Sequence, residues 1–555
     1  MWLPSLLVAI WRITFVSSIG LVTARSSHGD GAPTVSLDDA IFTGVADGLT
    51  NVFLGIPYAQ PPVGALRFNR PVPVEPYSGA HDAADFGPSC PQQAVPPPTG
   101  PPPPGLDMKF TMQLLDVIFN TSAVQSEDCL SVNVWTPSTA SATSHLPVLV
   151  WIHGGAFQVG GSATTDGGII VKRSVQMGEP IVLISINYRL SALGFLPGKE
   201  AQDAGLGNLG YRDQRLALRW IQKYIRAFGG DPTKVTIWGE SAGSIAVSSQ
   251  MLTNGGDHEG LFRGAYMNSG AVCPIGDILG AQDIYDEFVA TVGCSGTSDT
   301  IACLRHAPYE QIKSAMDSFP SFLGYETNAL PFAPRTDGDF FSEAPRDLVS
   351  KGQMVDVPIV IMGCEDEGTP FAIPNLNIST TEEFHEYLHK YFFVNATSAD
   401  LDELLTVYPE DPSSGAPFNT GTLNALSPQF KRIAAVAVGE KEYLDSQRRK
   451  NTSVLGAAHI SDLLDIFGPT DMTDHLIHFV NYLDPNGVQD AVLDVPQAQS
   501  TLGINGVVKW PRYDLESKLK LVYLDGSTPL AVTQDTDREK QTDFMAAFWR
   551  RHWLK

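Results

Sequence analysis

The chain is short of positive charge. Against 61 Asp and Glu it carries 37 Lys and Arg, a net charge of −24. No Lys/Arg cluster is available to neutralise phosphates, which argues against a nucleic-acid partner. Cysteine is scarce too, with 6 in 555 residues, far below the density of a small scaffold stapled by disulfides. Beyond the first two dozen residues no apolar run approaches the length of a transmembrane helix. Internal repeats are lacking, and so is a linker that would separate independent units. With 43% hydrophobic residues the chain can bury a large core, and one elaborated domain over residues 25–555 is expected.

The N-terminal stretch is the exception to this pattern. Leu3 to Ala24 is mostly apolar, interrupted by Arg12, and ends Val22-Thr23-Ala24, a small-x-small pattern of the kind signal peptidase cuts. Residues 1–24 read as a secretory signal peptide, with an uncleaved anchor as the alternative. A pI near 4.8 and four glycosylation sequons, at Asn120, Asn377, Asn395 and Asn451, suit a secreted glycoprotein. In that compartment disulfides are expected, although six cysteines allow fifteen full pairings. Cys294 and Cys303 close a short loop and Cys90 and Cys129 bracket a long one, whereas Cys273 and Cys364 sit in apolar surroundings and read as buried thiols.

What is present is an alternation of short β-rich runs with helical patterns, the mark of a wound α/β sheet. Residues 147–152, 180–187, 235–239, 357–362 and 518–524 read as strands. Ala217, Trp220, Ile221, Tyr224 and Ile225 fall on one face of a helix. One segment is of low complexity: Pro96 to Pro98 precede Thr99-Gly100, and Pro101 to Pro104 follow. Such a run favours stiff polyproline II. An apolar, amphipathic stretch over 106–119 comes next. Both lie between Cys90 and Cys129, so a disulfide there would tie off a flap at its base.

The strongest chemical signal is Gly239-Glu240-Ser241-Ala242-Gly243, set between an apolar strand and a helical run. That context makes Ser241 a nucleophile raised on a sharp turn. Acyl transfer also needs backbone donors for the oxyanion. His153-Gly154-Gly155-Ala156 follows a strand, and Gly155, Ala156 and Ala242 are the candidate donors. The orienting acid belongs after a later strand, where Glu365, Asp366 and Glu367 adjoin; spacing does not choose among them. Downstream bases are His385, His389, His459, His475, His478 and His552. His459 sits in a small-residue loop, Gly456-Ala457-Ala458, before an apolar helix. Glu240 beside the nucleophile reads equally as a tuner of the site's field and as a structural carboxylate.

Further stretches carry a resemblance: residues 53–68, 126–135, 229–232, 268–271, 417–421, 428–432 and 510–511. On these the chain, from about Val35 to Tyr513, resembles the type-B carboxylesterase/lipase family, closest to secreted fungal lipases and sterol esterases of the Candida rugosa lipase type. The resemblance implies an α/β-hydrolase fold, with a large, mostly parallel central sheet flanked by helices. It implies Ser241 as nucleophile, Glu367 as acid and His459 as base. It also implies disulfides Cys90–Cys129 and Cys294–Cys303, a buried Arg67–Glu127 pair, and a lid within 90–129. Neither metal nor organic cofactor is called for. The implied activity is serine hydrolysis of apolar carboxylic esters, as lipase, sterol esterase or broad carboxylesterase, acting on lipid at a water interface. A homodimer through the lid region is the candidate assembly.

Several competing readings stand beside this one. A short-chain or aryl carboxylesterase with poor lipase activity would use the same triad. His385-Glu386-Tyr387-Leu388-His389 matches the His-Glu-x-x-His zinc protease motif, with Glu403 or Glu410 as nominal third ligand. Adhesion-type relatives keep the fold and lose the nucleophile. A cholinesterase is disfavoured, because the Cys90–Cys129 loop has no Trp or Tyr to face a quaternary cation.

Overall fold

The uninterrupted apolar runs of the first half of the chain become neighbours at the middle of one sheet. The computed structural model describes residues 31–96, 122–439, 457–468, 470–487, 508–524 and 530–552. The leader, all but the first proline of the low-complexity run, the amphipathic stretch after it, and the sequons Asn120 and Asn451 lie outside them.

In chain order the strands are β1 (Thr34–Leu37), β2 (Asp39–Thr43), β3 (Val45–Asp47), β4 (Thr50–Pro57), β5 (Ser78–Asp82), β6 (Ser131–Pro137), β7 (Leu146–Ile152), β8 (Val182–Ile186), β9 (Gly230–Glu240), β10 (Gly264–Asn268), β11 (Ile359–Met362), β12 (Leu519–Tyr523) and β13 (Leu530–Gln534). The principal sheet has the order β11-β10-β9-β7-β8-β6-β4-β3. Its five strands from β11 to β8 run parallel, and β6, β4 and β3 continue it antiparallel. β1, β2 and β5 form a small separate sheet. The expected late strand is β12, which pairs with β13 in a two-stranded ribbon.

Both faces of the sheet are covered, which explains the lack of polar alternation in its strands. Val148, Val150 and Ile152 pack into one core, while Leu149 and Trp151, on the opposite face, pack into another. Each such fully buried side chain contributes about 1.5–3 kcal/mol. The helical spacing read from the sequence is realised in α1 (Leu209–Tyr224), with Ala217, Trp220, Ile221 and Tyr224 buried. Helix α2 (Ala242–Leu252) follows β9 and is buried along its whole length. Farther on, α3 (Thr381–Tyr391) and α4 (Ser398–Val407) start with capping boxes on Thr380 and Thr397.

Register positions the site. Ile152 at the end of β7 is paired with Gly239 of β9. Glu240 is paired with Asn268, and Asn268 with Met362. Four parallel strands therefore end in one row. The sheet is also wound outward from β7, to β8 on one side and β9 on the other, and ligands of wound sheets bind at such switch points.

Candidate active site

Ser241 follows β9 directly and starts α2, in a backbone conformation of φ 57°, ψ −125° that a non-glycine residue adopts only under constraint. The constraint is steric. A Cβ on Gly239 would lie 2.3 Å from the Gly243 carbonyl, and one on Gly243 would lie 2.0 Å from Ile152 O. The Ser241 N–H donates to Asn268 O at 2.9 Å, and Ile245 N–H returns to Ser241 O at 3.0 Å. The turn is thus locked between two strands and its own helix.

His459 reaches this serine from a loop outside the sheet. Its Nε2 lies 2.8 Å from Ser241 Oγ, and its Nδ1 lies 2.6 Å from Glu367 Oε2. Phe371 flanks the imidazole, with ring centroids 5.2 Å apart. Glu367 Oε1 accepts the Cys364 N–H at 2.6 Å, which fixes the carboxylate plane. The three carboxylates that spacing left undecided have separate partners. Glu365 accepts from Asn419 Nδ2 at 2.8 Å, Asp366 accepts backbone N–H groups from Phe418 and Ala457, and Glu367 alone meets the imidazole.

Two further acids adjoin. Glu240 Oε1 is 3.3 Å from His459 Nε2. Asp462 Oδ2 accepts from Asn268 Nδ2 at 2.7 Å, and Asn268 Oδ1 accepts from Trp238 Nε1 at 2.9 Å. No spacing signal in the sequence points to Asn268 or Asp462, because the partners come from strands and loops far apart in the chain.

Burial dominates the electrostatics. It pushes Glu240 well above the usual carboxyl range, against the pull of His459. Burial also works against charging His459, but Glu240 and Glu367 outweigh it and raise the imidazole pKa. Glu367 holds Nδ1, and Nε2 faces the Ser241 hydroxyl. Asp462 is pushed up to about 6 by burial and by Glu367, against its bond from Asn268. His153, in the glycine loop, is no competing base. Burial takes its pKa down to about 4, Nδ1 donates to Gly154 O, and the ring stacks on Tyr188 at 4.5 Å.

Ser241 and His459 open into a cavity of about 520 Å³. Gly155, Ala156 and Ala242 line it with them. Ala156 and Phe157 are held at φ 55° and 58°, consecutive left-handed residues that aim this loop at the cost of strain. The walls are apolar, with Ile245, Ile275, Phe322, Leu330 and Phe371, and the rim carries Glu287, Glu326 and Lys390.

Both disulfides, Cys90–Cys129 and Cys294–Cys303, are formed. Arg67 and Glu127 make a two-pronged pair at 2.5 and 2.6 Å, with both side chains nearly inaccessible. Of the two free thiols, Cys364 is buried, and burial, then Glu367 and Asp462, push its pKa up. Cys273 departs from expectation: it is partly exposed and lines the cavity. Cys273, Pro274 and Ile275 wall the cavity, while Val272, Cys273 and Ile275 also pack, partly buried, against a core.

The histidines of the His-Glu-x-x-His helix have other neighbours. His385 faces Ser398 O and Asp402 at 3.4 and 3.8 Å, and Glu386 and His389 are exposed. Glu403 pairs with Arg551, and Glu410 accepts from Thr381. Among the described residues no group of three His, Cys, Asp or Glu side chains is placed to hold a metal ion, and no helix is long and apolar enough to cross a membrane. Asn377 and Asn395 are exposed.

A serine on a strand–turn–helix elbow, facing an imidazole and a carboxylate at the carboxyl ends of a wound sheet, defines an α/β-hydrolase. A sequence profile of the Carboxylesterase family matches residues 41–458. Secreted lipase 1 of Botryotinia fuckeliana is 40% identical over 84% of this chain and 87% of its own length. Secreted triacylglycerol lipase LIP1 of Gibberella zeae is 37% identical over 93% and 90%, and lipase 4 of Diutina rugosa 38% identical over 88% and 90%. The crystal structure of Aspergillus niger EstA overlays with a TM-score of 0.75 at 26% identity, covering 94% of this chain and 98% of that one. The chain belongs to the carboxylesterase family and is a hydrolase of carboxylic esters.

Proposed function

We propose that the protein is a secreted serine hydrolase of apolar carboxylic esters, a lipase or sterol esterase, working through an acyl-enzyme on Ser241. The Ser241–His459–Glu367 row at 2.8 and 2.6 Å carries this reading. Ser241 Oγ attacks the ester carbonyl carbon while His459 Nε2 takes its proton. The N–H groups of Gly155, Ala156 and Ala242 receive the oxyanion. Collapse of the tetrahedral adduct expels the alcohol, which leaves with the proton from Nε2. Water then enters, gives its proton to Nε2, and releases the acid as Ser241 recovers that proton. Glu367 holds the imidazole with Nδ1 protonated and balances its transient charge.

Apolar cavity walls support an acyl chain or sterol as the bound group, and the relatives named as secreted lipases support export. In this reading residues 1–24 are removed near Ala24 and residues 25–555 fold as one domain. The loop between Cys90 and Cys129 is the lid toward a lipid surface and the contact of a homodimer, and Asn120, Asn377, Asn395 and Asn451 are glycan acceptors. The charged rim of Glu287, Glu326 and Lys390 favours the second reading, a carboxylesterase of shorter soluble esters. Relative kcat/KM on p-nitrophenyl esters of rising acyl length, with triglyceride and cholesteryl ester emulsions, separates the two. A rise with acyl length and turnover of emulsions are expected; a sharp optimum at acetyl would overturn the lipase reading. Ser241→Ala is expected to lose activity by about 10⁶ while staying folded.

A further inference from the structure

Asp366 lies between Glu365 and the acid of the triad, and it is buried, at 3% exposure. Its Oδ1 accepts the Phe418 N–H at 2.7 Å, and its Oδ2 accepts the Ala457 N–H at 2.8 Å. Its own N–H donates to Ala457 O at 3.0 Å, forming a one-residue parallel bridge with Ala458. Three segments therefore converge on this residue: the loop carrying Glu367, the loop at 417–421, and the loop carrying His459. The 417–421 loop is itself anchored. Buried Lys431 donates through Nζ to Pro417 O, Thr420 Oγ1 and Gly421 O at 2.7, 2.7 and 2.9 Å.

We propose that Asp366 is a positioning residue for the base, tying the His459 loop to the Glu367 loop so that acid and imidazole keep a fixed separation. Ala457 stands two residues before His459, and proton transfer from Ser241 tolerates little error: a misplacement of ~1 Å can cost ~10²-fold in rate. An ionised carboxylate suits the task because it accepts two N–H bonds of the charge-assisted kind. Asparagine would offer one oxygen and set its NH₂ against the other N–H donor. Among the described residues, Glu365, Arg538 and Lys431 are the charged groups that face Asp366. Burial is the largest influence on its pKa and pushes it up to about 6, so the clamp is charged at pH 8.

The inference rests on the triad reading, and the test separates the two. Wild type, Asp366→Asn and Asn419→Gly are compared at pH 8 on p-nitrophenyl butyrate, with phosphonylation of Ser241 by a p-nitrophenyl phosphonate as a second readout. Asp366→Asn is expected to lower kcat and the phosphonylation rate by ~10–100-fold with KM within about twofold. Its kcat profile should also lose the component that Asp366 contributes near pH 6 in the wild type. Wild-type kcat with an unchanged acid limb in the folded variant would overturn the proposal. So would a loss of stability with no kcat-specific effect. If Asp366→Asn does not fold, the exposed Asn419→Gly decides. It removes the amide that secures the 417–421 loop to Glu365 and keeps the left-handed backbone there, φ 60°. A kcat loss of ~2–5-fold at constant KM is expected, and an unchanged kcat overturns the proposal. Failure of wild-type Ser241 to react with the phosphonate would instead sink the triad reading.

Discussion

Ser241 and His459 meet at 2.8 Å but are held by different means. Ser241 is fixed by backbone: two glycines with no room for a Cβ, a strand register, and one N–H bond across to Asn268. His459 stands on a loop that has one backbone bridge to Asp366 and otherwise leans on side chains, with the Asp366 carboxylate on Ala457 before it and Asp462 on Asn268 after it. Backbone constraint is local and rigid. Side-chain constraint is long-range and depends on protonation. Mutations on the two sides should therefore fail in different ways.

The largest effect is expected on the backbone side. Gly243→Ala places a Cβ 2.0 Å from Ile152 O, and neither β7 nor α2 can move away without losing its packing. The variant should be inactive and destabilised by ~3 kcal/mol or more, the upper end for overpacked cores. A soluble, active Gly243→Ala protein with an unchanged thermal midpoint would break the contrast.

On the side-chain side the effect is smaller and follows pH. Asp462 is raised from 3.8 to about 6 in the fold, so between those values the folded protein binds a proton that the unfolded chain does not. The carboxylate's burial opposes folding above pH 6, and that penalty is relieved as pH falls toward 4. Relative to Asp462→Asn, which does not titrate, the wild type should gain up to ~3 kcal/mol on going from pH 7 to pH 4. Paired unfolding curves at the two pH values measure it. A difference that stays flat means the carboxylate is no more perturbed than a surface one.

The smallest effect belongs to the histidines of α3. His385→Ala combined with His389→Ala should leave kcat/KM within about twofold, and a chelator should do nothing further. Chelator-sensitive activity, lost in the double variant, would restore a metal role.

The same contrast explains what was legible in the sequence. Gly239 to Gly243 and residues 153–156 announce their chemistry because backbone demands appear as glycines next to apolar runs. The central strands were readable because each is buried on both faces, as Val148 and Leu149 show. Glu365, Asp366 and Glu367 were indistinguishable because their roles are assigned by Asn419, Phe418 and His459, which lie 52 to 92 residues away along the chain. Cys273 misled because an apolar neighbourhood describes a cleft wall as well as a core. His385 to His389 matches a zinc motif letter for letter, but the nominal third ligands Glu403 and Glu410 pair with Arg551 and Thr381 instead.

The common ending of β7, β9, β10 and β11 constrains how such a chain can change over time. Each strand residue advances the backbone by about 3.3 Å, so one insertion inside any of these strands would carry its loop past hydrogen-bonding reach of the others. An insertion between strands moves nothing in the row. Length variation within a lineage of such enzymes should therefore gather in the connections, where new substrates can be accommodated, while the distance from the start of each central strand to its reactive group stays constant.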